Sequence, residues 1–163
     1  MSKTVVAAAL IALAGAPLLA QAPQTPPAQP PPVPRVTLAS AQKMLTAAQA
    51  KATEMRVGLS CVVLDVRGDL VAAFRMDGVP FLTVEVAKGK ATSSAFFGQP
   101  SGAMGDRGPV LASIGNAAGL TMLTVQGALP IVQNNQRLGA MGCSGAASQQ
   151  DEDAARAGIA AGL

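Results

Sequence analysis

Two apolar, β-branched runs at residues 59–65 and 70–76, separated by Arg67-Gly68-Asp69, constrain this chain more than any other feature. Leu59-Ser60-Cys61-Val62-Val63-Leu64-Asp65 is nearly continuous in apolar character, as a strand buried on both faces is. A short Gly-containing turn then joins it to its neighbour as an antiparallel hairpin. Arg-Gly-Asp is also an adhesion tripeptide, but between two strands it reads as a turn. The second strand runs into Phe74-Arg75-Met76-Asp77-Gly78-Val79, and a short way on stands Val86-Ala87-Lys88-Gly89-Lys90-Ala91-Thr92. Only 13% of the chain is charged. Charge of mixed sign where a strand gives way to a helix is therefore where a site is sought first.

Helical periodicity surrounds the hairpin. Leu38, Ala41, Leu45, Ala48, Ala52 and Met55 draw one apolar stripe behind Thr37, whose hydroxyl suits an N-cap, and Gly58 is expected to stop that helix. A second helix is expected over 82–97 with Gly98 ending it. Gly89 in its middle costs about 1 kcal/mol relative to alanine, which suggests close packing against another backbone or a flat ligand, or tolerance of a weak position. Residues 99–108, with Gly102, Gly105 and Gly108, lack the spacing of a nucleotide-binding loop and read as a mobile loop. Residues 109–119 are ambiguous. Strands are expected at 120–125, 129–132 and 138–143, the last two a hairpin around Asn134-Asn135, whose side chains tolerate positive φ. Ser148 with Asp151 resembles a capping box for a closing helix at 148–161. Helix, two strands, helix, three strands, helix describes an α+β domain with an antiparallel sheet.

Upstream, Lys3 and an uncharged Ala- and Leu-rich stretch ending in Ala20-Gln21-Ala22 read as an export signal over residues 1–22, an uncleaved anchor being the alternative. No cysteine near its end supports a lipid anchor. Residues 23–35 are proline-rich and read as an extended spacer; residues 36–163 form the domain. The expected location is periplasmic or secreted, with no membrane attachment after cleavage.

Composition removes several functions. The absence of histidine rules out a Ser-His-Asp triad, and 2% aromatic content removes base stacking on nucleic acid. Twelve scattered Lys and Arg with a net charge of +3 give no nucleic-acid footprint. Seven methionines do not cluster as a soft-metal motif requires, and the metal, if any, stays unknown.

The helix at 38–55, the strand ending Val63-Leu64-Asp65 with Gly68 in the turn, Arg75-Met76-Asp77-Gly78, Ala87-Lys88-Gly89-Lys90-Ala91-Thr92 and the closing Gly139-Ala140-Met141-Gly142-Cys143-Ser144-Gly145 followed by Asp151 together resemble the GlcG/HbpS family of haem-binding proteins. The resemblance covers residues 36–163. It implies a profilin-like fold, a five-stranded antiparallel sheet flanked by helices, assembly into homo-oligomers, commonly octamers, and affinity for haem or a related tetrapyrrole. Arg75, Asp77, Lys90, Thr92, Phe96, Phe97 and Ser144 are then the candidate ligand contacts: Lys90 for a carboxylate such as a propionate, Thr92 for a hydroxyl, the two phenylalanines for flat walls. Arg75 and Asp77, two apart on a strand, share a side and are placed to pair. If the family's sheet sets the first and last strands side by side, Cys61 and Cys143 are cross-strand neighbours placed for a disulfide; two buried free thiols are the alternative.

The chain departs from the family in having no histidine, the commonest haem ligand. Iron would fall to Cys, Met, Lys, a hydroxyl such as Thr92, or water, which suits carriage or sensing rather than electron transfer. Two other functions stay open: a small-molecule or haem-degrading enzyme using Lys90, Arg75 and Asp77 on a small organic ligand, and a non-catalytic oligomeric accessory subunit.

Overall fold

The computed structural model describes residues 34–163. The export signal and all but the last two residues of the proline-rich spacer lie outside the described residues. The described chain runs α1 (Leu38–Glu54), β1 (Ser60–Asp65), β2 (Leu70–Arg75), α2 (Leu82–Phe97), a 3-10 helix (Ser101–Arg107), α3 (Gly108–Ala117), β3 (Ala128–Gln133), β4 (Gln136–Ser144) and α4 (Ser148–Gly162). Among these residues no helix is long and apolar enough to cross a membrane.

The class is α+β with an antiparallel sheet, but the sheet has four strands, in the order β2-β1-β4-β3, rather than the five expected. The segment 120–125 is the missing strand. Leu123 N–H donates to the Gly89 carbonyl of α2 at 3.1 Å. A Cβ on Gly89 would lie 2.9 Å from Leu123 and 3.1 Å from Thr121. Extended, β-branched backbone fits a notch in a helix as well as it fits a sheet edge, and Gly89 makes that notch. This glycine thus makes room for the Leu123 and Thr121 side chains, while its carbonyl takes the Leu123 N–H.

One sheet face carries Cys61, Val63, Ile131, Met141 and Cys143 against α1 and α4; the other carries Val62 and Leu64 against Ala87 and Ala91 of α2. Alternate residues of β1 point to opposite layers and all are buried, which is why its sequence shows no polar face. Gly142 lets α2 sit directly on β4, since a Cβ there would meet the Ala87 carbonyl at 2.5 Å. Cys61 and Cys143 are register partners with Cα atoms 4.1 Å apart, joined as a disulfide between the two central strands.

Several local features follow the sequence and some do not. Thr37 caps α1 by accepting from Ser40 N–H, and Asn134 and Asn135 take φ of 50° and 60° in the β3–β4 turn. Gly98 ends α2 with φ of 68°. Arg56, with φ of 55°, rather than Gly58, turns the chain after α1; Gly58 makes room for Val79 instead. Residues 99–108 are not a loose loop. Ser101, fully buried, donates through Oγ to Val125 O at 2.7 Å and accepts from Ala128 N–H at 3.0 Å, fixing the 3-10 helix to the sheet. Ser148 is the first residue of α4 rather than its cap. Gln150 accepts from Ala147 N–H, and Asp151 turns inward to accept from Ala146 N–H at 3.0 Å.

Candidate functional site

On α2, residues Glu85, Lys88, Thr92 and Phe96 recur at spacings of three and four and so share one face. This face forms the floor of a groove. Gly68 of the β1–β2 turn borders one side and Gly119, Leu120 and Thr121 the other, enclosing about 190 Å³ with Glu85, Lys88 and Thr92. Asp65 shapes the turn, its Oδ1 accepting from Arg67 N–H at 2.8 Å and Asp69 N–H at 3.0 Å. Gly68 has φ of 89°, and a Cβ there would stand 3.0 Å from Phe96 Cε2, so the ring packs against the turn. The notch at Gly89 holds the opposite wall. The groove therefore exists because two glycines bring two loops onto one helix.

Its chemistry is mixed. Lys88 is exposed, and among the described residues no carboxylate lies within 4.0 Å of its ammonium. Thr92 is buried and its Oγ1 donates to the Lys88 carbonyl at 2.9 Å. Phe96, 41% exposed, and Leu120 supply apolar surface at the rim. Ligand pockets usually enclose about 300–1,000 Å³, so this groove takes an edge of a large ligand rather than the whole. A larger cleft of about 390 Å³ between β3 and α4 is lined by Pro100, Leu129, Pro130, Ile159 and Arg156, but Arg156 is paired with Glu152 at 2.8 Å and no candidate residue reaches it.

The structure gathers only part of the candidate set here. Thr92 lines the groove, and Phe96 stands at its edge against Gly68. Phe97 turns away under Arg107, whose guanidinium lies 5.5 Å from the ring centroid. Ser144 is buried at the end of β4 opposite Ser60. Arg75 and Asp77 do not pair: Arg75 Nη1 donates to Val79 O at 2.5 Å, clamping a turn in which Gly78 takes φ of 77°, and Asp77 is exposed. The Arg-Met-Asp-Gly stretch is thus a turn device. Lys90 is buried, its Nζ 2.9 Å from Asp151 Oδ2 and 3.2 Å from Cys143 O. Gly127 keeps that space open, since a Cβ there would lie 2.7 Å from Nζ.

Burial pushes the Asp151 carboxyl above its ordinary value, outweighing the hydrogen bond from Lys90, that from Ala146 N–H and the Lys90 charge. Lys90 therefore holds a carboxylate of its own chain and is not free for a ligand, and it sits over β4, two strands from Arg75 and Asp77. The described chain does not bring those three together.

Lys88 and Glu85 are the site residues that sequence reasoning passed over. The signal was present, because a helix face holding Thr92 and Phe96 includes position 88 and excludes position 90. The wall at 119–121 had no comparable signal. Among the described residues no cluster of three or more His, Cys, Asp or Glu is placed to hold a metal.

Comparison with known proteins adds the following. Residues 36–160 match the family described as "Haem degrading protein HbpS-like". A protein of Citrobacter freundii described as an uncharacterized 15.0 kDa protein in the dhaT-dhaS intergenic region is 31% identical over 122 residues, 71% of this chain and 84% of its own. Among solved structures, Klebsiella pneumoniae protein ORFY superposes with a TM-score of 0.74 at 27% identity, covering 85% of this chain and 97% of its own. A double mutant of Streptomyces reticuli HbpS gives 0.69 at 26% identity, covering 90% and 97%.

Proposed function

This chain belongs to the family of HbpS-like haem-degrading proteins, and from that premise we propose that it binds haem or a related tetrapyrrole and carries or senses it without transforming it. The observation that carries this reading is the Lys88 ammonium, with no carboxylate within 4.0 Å among the described residues, in a groove lined by Leu120 and bordered by Phe96 against Gly68. A tetrapyrrole offers a flat apolar ring and flexible carboxylates. Phe96 and Leu120 suit the ring, and Lys88 suits one carboxylate. Glu85, one turn away, repels a second and so orients the ring. The groove's acid and base, Lys88 and Glu85, both stand open to solvent rather than in a site that excludes water, which favours carriage over catalysis.

The residues fit the ring and its carboxylates, but they do not fit iron ligation. No histidine or tyrosine exists in the sequence, both cysteines are spent in the disulfide, and Lys90 is spent on Asp151. The groove covers only an edge of a macrocycle, so a second copy of the chain completes the enclosure, and we take the protein to be a homo-oligomer. The sequence of residues 1–22 supports export to the periplasm or beyond.

Titrating the purified mature protein with haemin tests the reading. A saturable Soret shift is expected, weakened about fivefold by Lys88→Ala, the equivalent of roughly 1 kcal/mol for a half-exposed charge pair. Glu85→Gln is expected to tighten binding. No saturable change, or a Lys88→Ala titration superimposable on the parent, rejects it.

A further inference from the structure

We infer that the α2 groove recognises the tetrapyrrole ring and its carboxylates and is indifferent to the central metal, so that iron-free protoporphyrin binds about as tightly as haemin. This rests on the tetrapyrrole-binding reading above and narrows its ligand class.

The inference follows from where each potential iron donor is held. Cys61 and Cys143 are bonded to one another in the middle of the sheet and offer no thiolate. Met44, Met104 and Met141 are fully buried, and Met122 is buried against Gly115 of α3. Met55 and Met76 pack into the core cluster with α1 and α4, on the sheet face opposite the groove. Lys90 Nζ is aimed at Asp151 and the Cys143 carbonyl. Lys88, the remaining amine at the groove, is an exposed ammonium that attracts carboxylates and, as –NH₃⁺, offers no lone pair to iron. The oxygen donors that remain are the Glu85 carboxylate and the Thr121 and Thr92 hydroxyls, none of them among the groups that anchor haem iron, and the buried one on the floor is Thr92 Oγ1. Its proton is committed to the Lys88 carbonyl, the ordinary helical back-bond of a threonine. A neutral hydroxyl held this way is a weak donor beside the imidazole, thiolate, phenolate or thioether that anchor haem iron.

By contrast, what the groove offers the ring is independent of the metal. Phe96 packs against Gly68 at the groove's edge, Leu120 lines the groove, and Lys88 marks the carboxylate end. A macrocycle with its centre empty presents the same faces and the same carboxylates. Selectivity then comes from the porphyrin's outline and charge.

The test compares haemin with iron-free protoporphyrin IX, followed by absorbance and by porphyrin fluorescence, on the parent protein and on Thr92→Val and Lys88→Ala. Thr92→Val keeps the β-branched shape and removes only the hydroxyl. The expected result is dissociation constants within about tenfold of each other, which is about 1.4 kcal/mol, with Thr92→Val affecting both ligands alike and Lys88→Ala weakening both. Haemin binding far more tightly than protoporphyrin, or Thr92→Val weakening haemin alone, overturns the inference and leaves the tetrapyrrole reading standing. Binding of neither ligand overturns both.

Discussion

Replacing Lys90 by methionine isolates the buried ion pair that the groove does not use. Lys90→Met keeps most of the side-chain volume and removes the ammonium, so Asp151 loses its 2.9 Å partner and keeps only the Ala146 N–H, while the Cys143 carbonyl loses the donor at 3.2 Å. Both side chains of the pair are 3% exposed or less, so water cannot replace what is lost. Breaking such a pair from one side costs about 3–5 kcal/mol, a large share of the 5–15 kcal/mol by which domains are typically stable.

The cost depends on pH in a defined direction. The folded Asp151 carboxyl already titrates above its ordinary value because burial outweighs its partners. Its contribution is therefore fully present below about pH 4, where folded and unfolded forms are both protonated, and is lost as pH rises through the raised folded value. Removing Lys90 deletes two of the influences that hold that value down. The window widens upward, and each further pH unit within it costs the variant about 1.4 kcal/mol.

Urea unfolding followed by circular dichroism from pH 4 to pH 8 measures this. Lys90→Met is expected to approach the parent at the acid end and fall away from it towards pH 8. The double variant Lys90→Met/Asp151→Leu is expected to recover most of the loss, because a well-packed apolar pair often matches a buried ion pair. A single-variant loss under about 1 kcal/mol at pH 7, a loss independent of pH, or a double variant no better than the single refutes the reasoning.

Other perturbations separate packing from function. Replacing both Cys61 and Cys143 by alanine opens a constraint spanning 82 residues; the chain-entropy relation puts the loss near roughly 4.5 kcal/mol. It is read as a lower urea midpoint, and the unfolded, unreduced parent is expected to show no reactive thiol. Gly142→Ala drives a methyl to within 2.5 Å of the Ala87 carbonyl and is expected to cost about 1–3 kcal/mol by lifting α2 from β4. Gly89→Ala gains about 1 kcal/mol of helix propensity and presses on Leu123; hydrogen exchange is expected to speed up first at the Leu123 amide, and haemin affinity to change with it. The Lys88→Ala and Glu85→Gln effects on haemin binding are expected to shrink in high salt, since both charges face solvent.

Patterns that depend on near neighbours were legible in the sequence. The β1–β2 hairpin, the caps at Thr37 and Gly98, the asparagine turn and the bounds of α2 follow from periodicity and turn chemistry, which act over a few residues. Helical spacing even held the distinction between Lys88 and Lys90, because position alone sets the face. What a long side chain or an extended segment finally touches was decided by the tertiary structure. Residues 120–125 have strand-like composition, and only the fold shows that the Gly89 notch, not a sheet edge, receives them. Asp151 carried the signal of a helix start, yet Lys90, 61 positions earlier, turns it inward. Such contacts depend on which elements the chain brings together across large separations, where backbone preference is silent and burial chooses the partner.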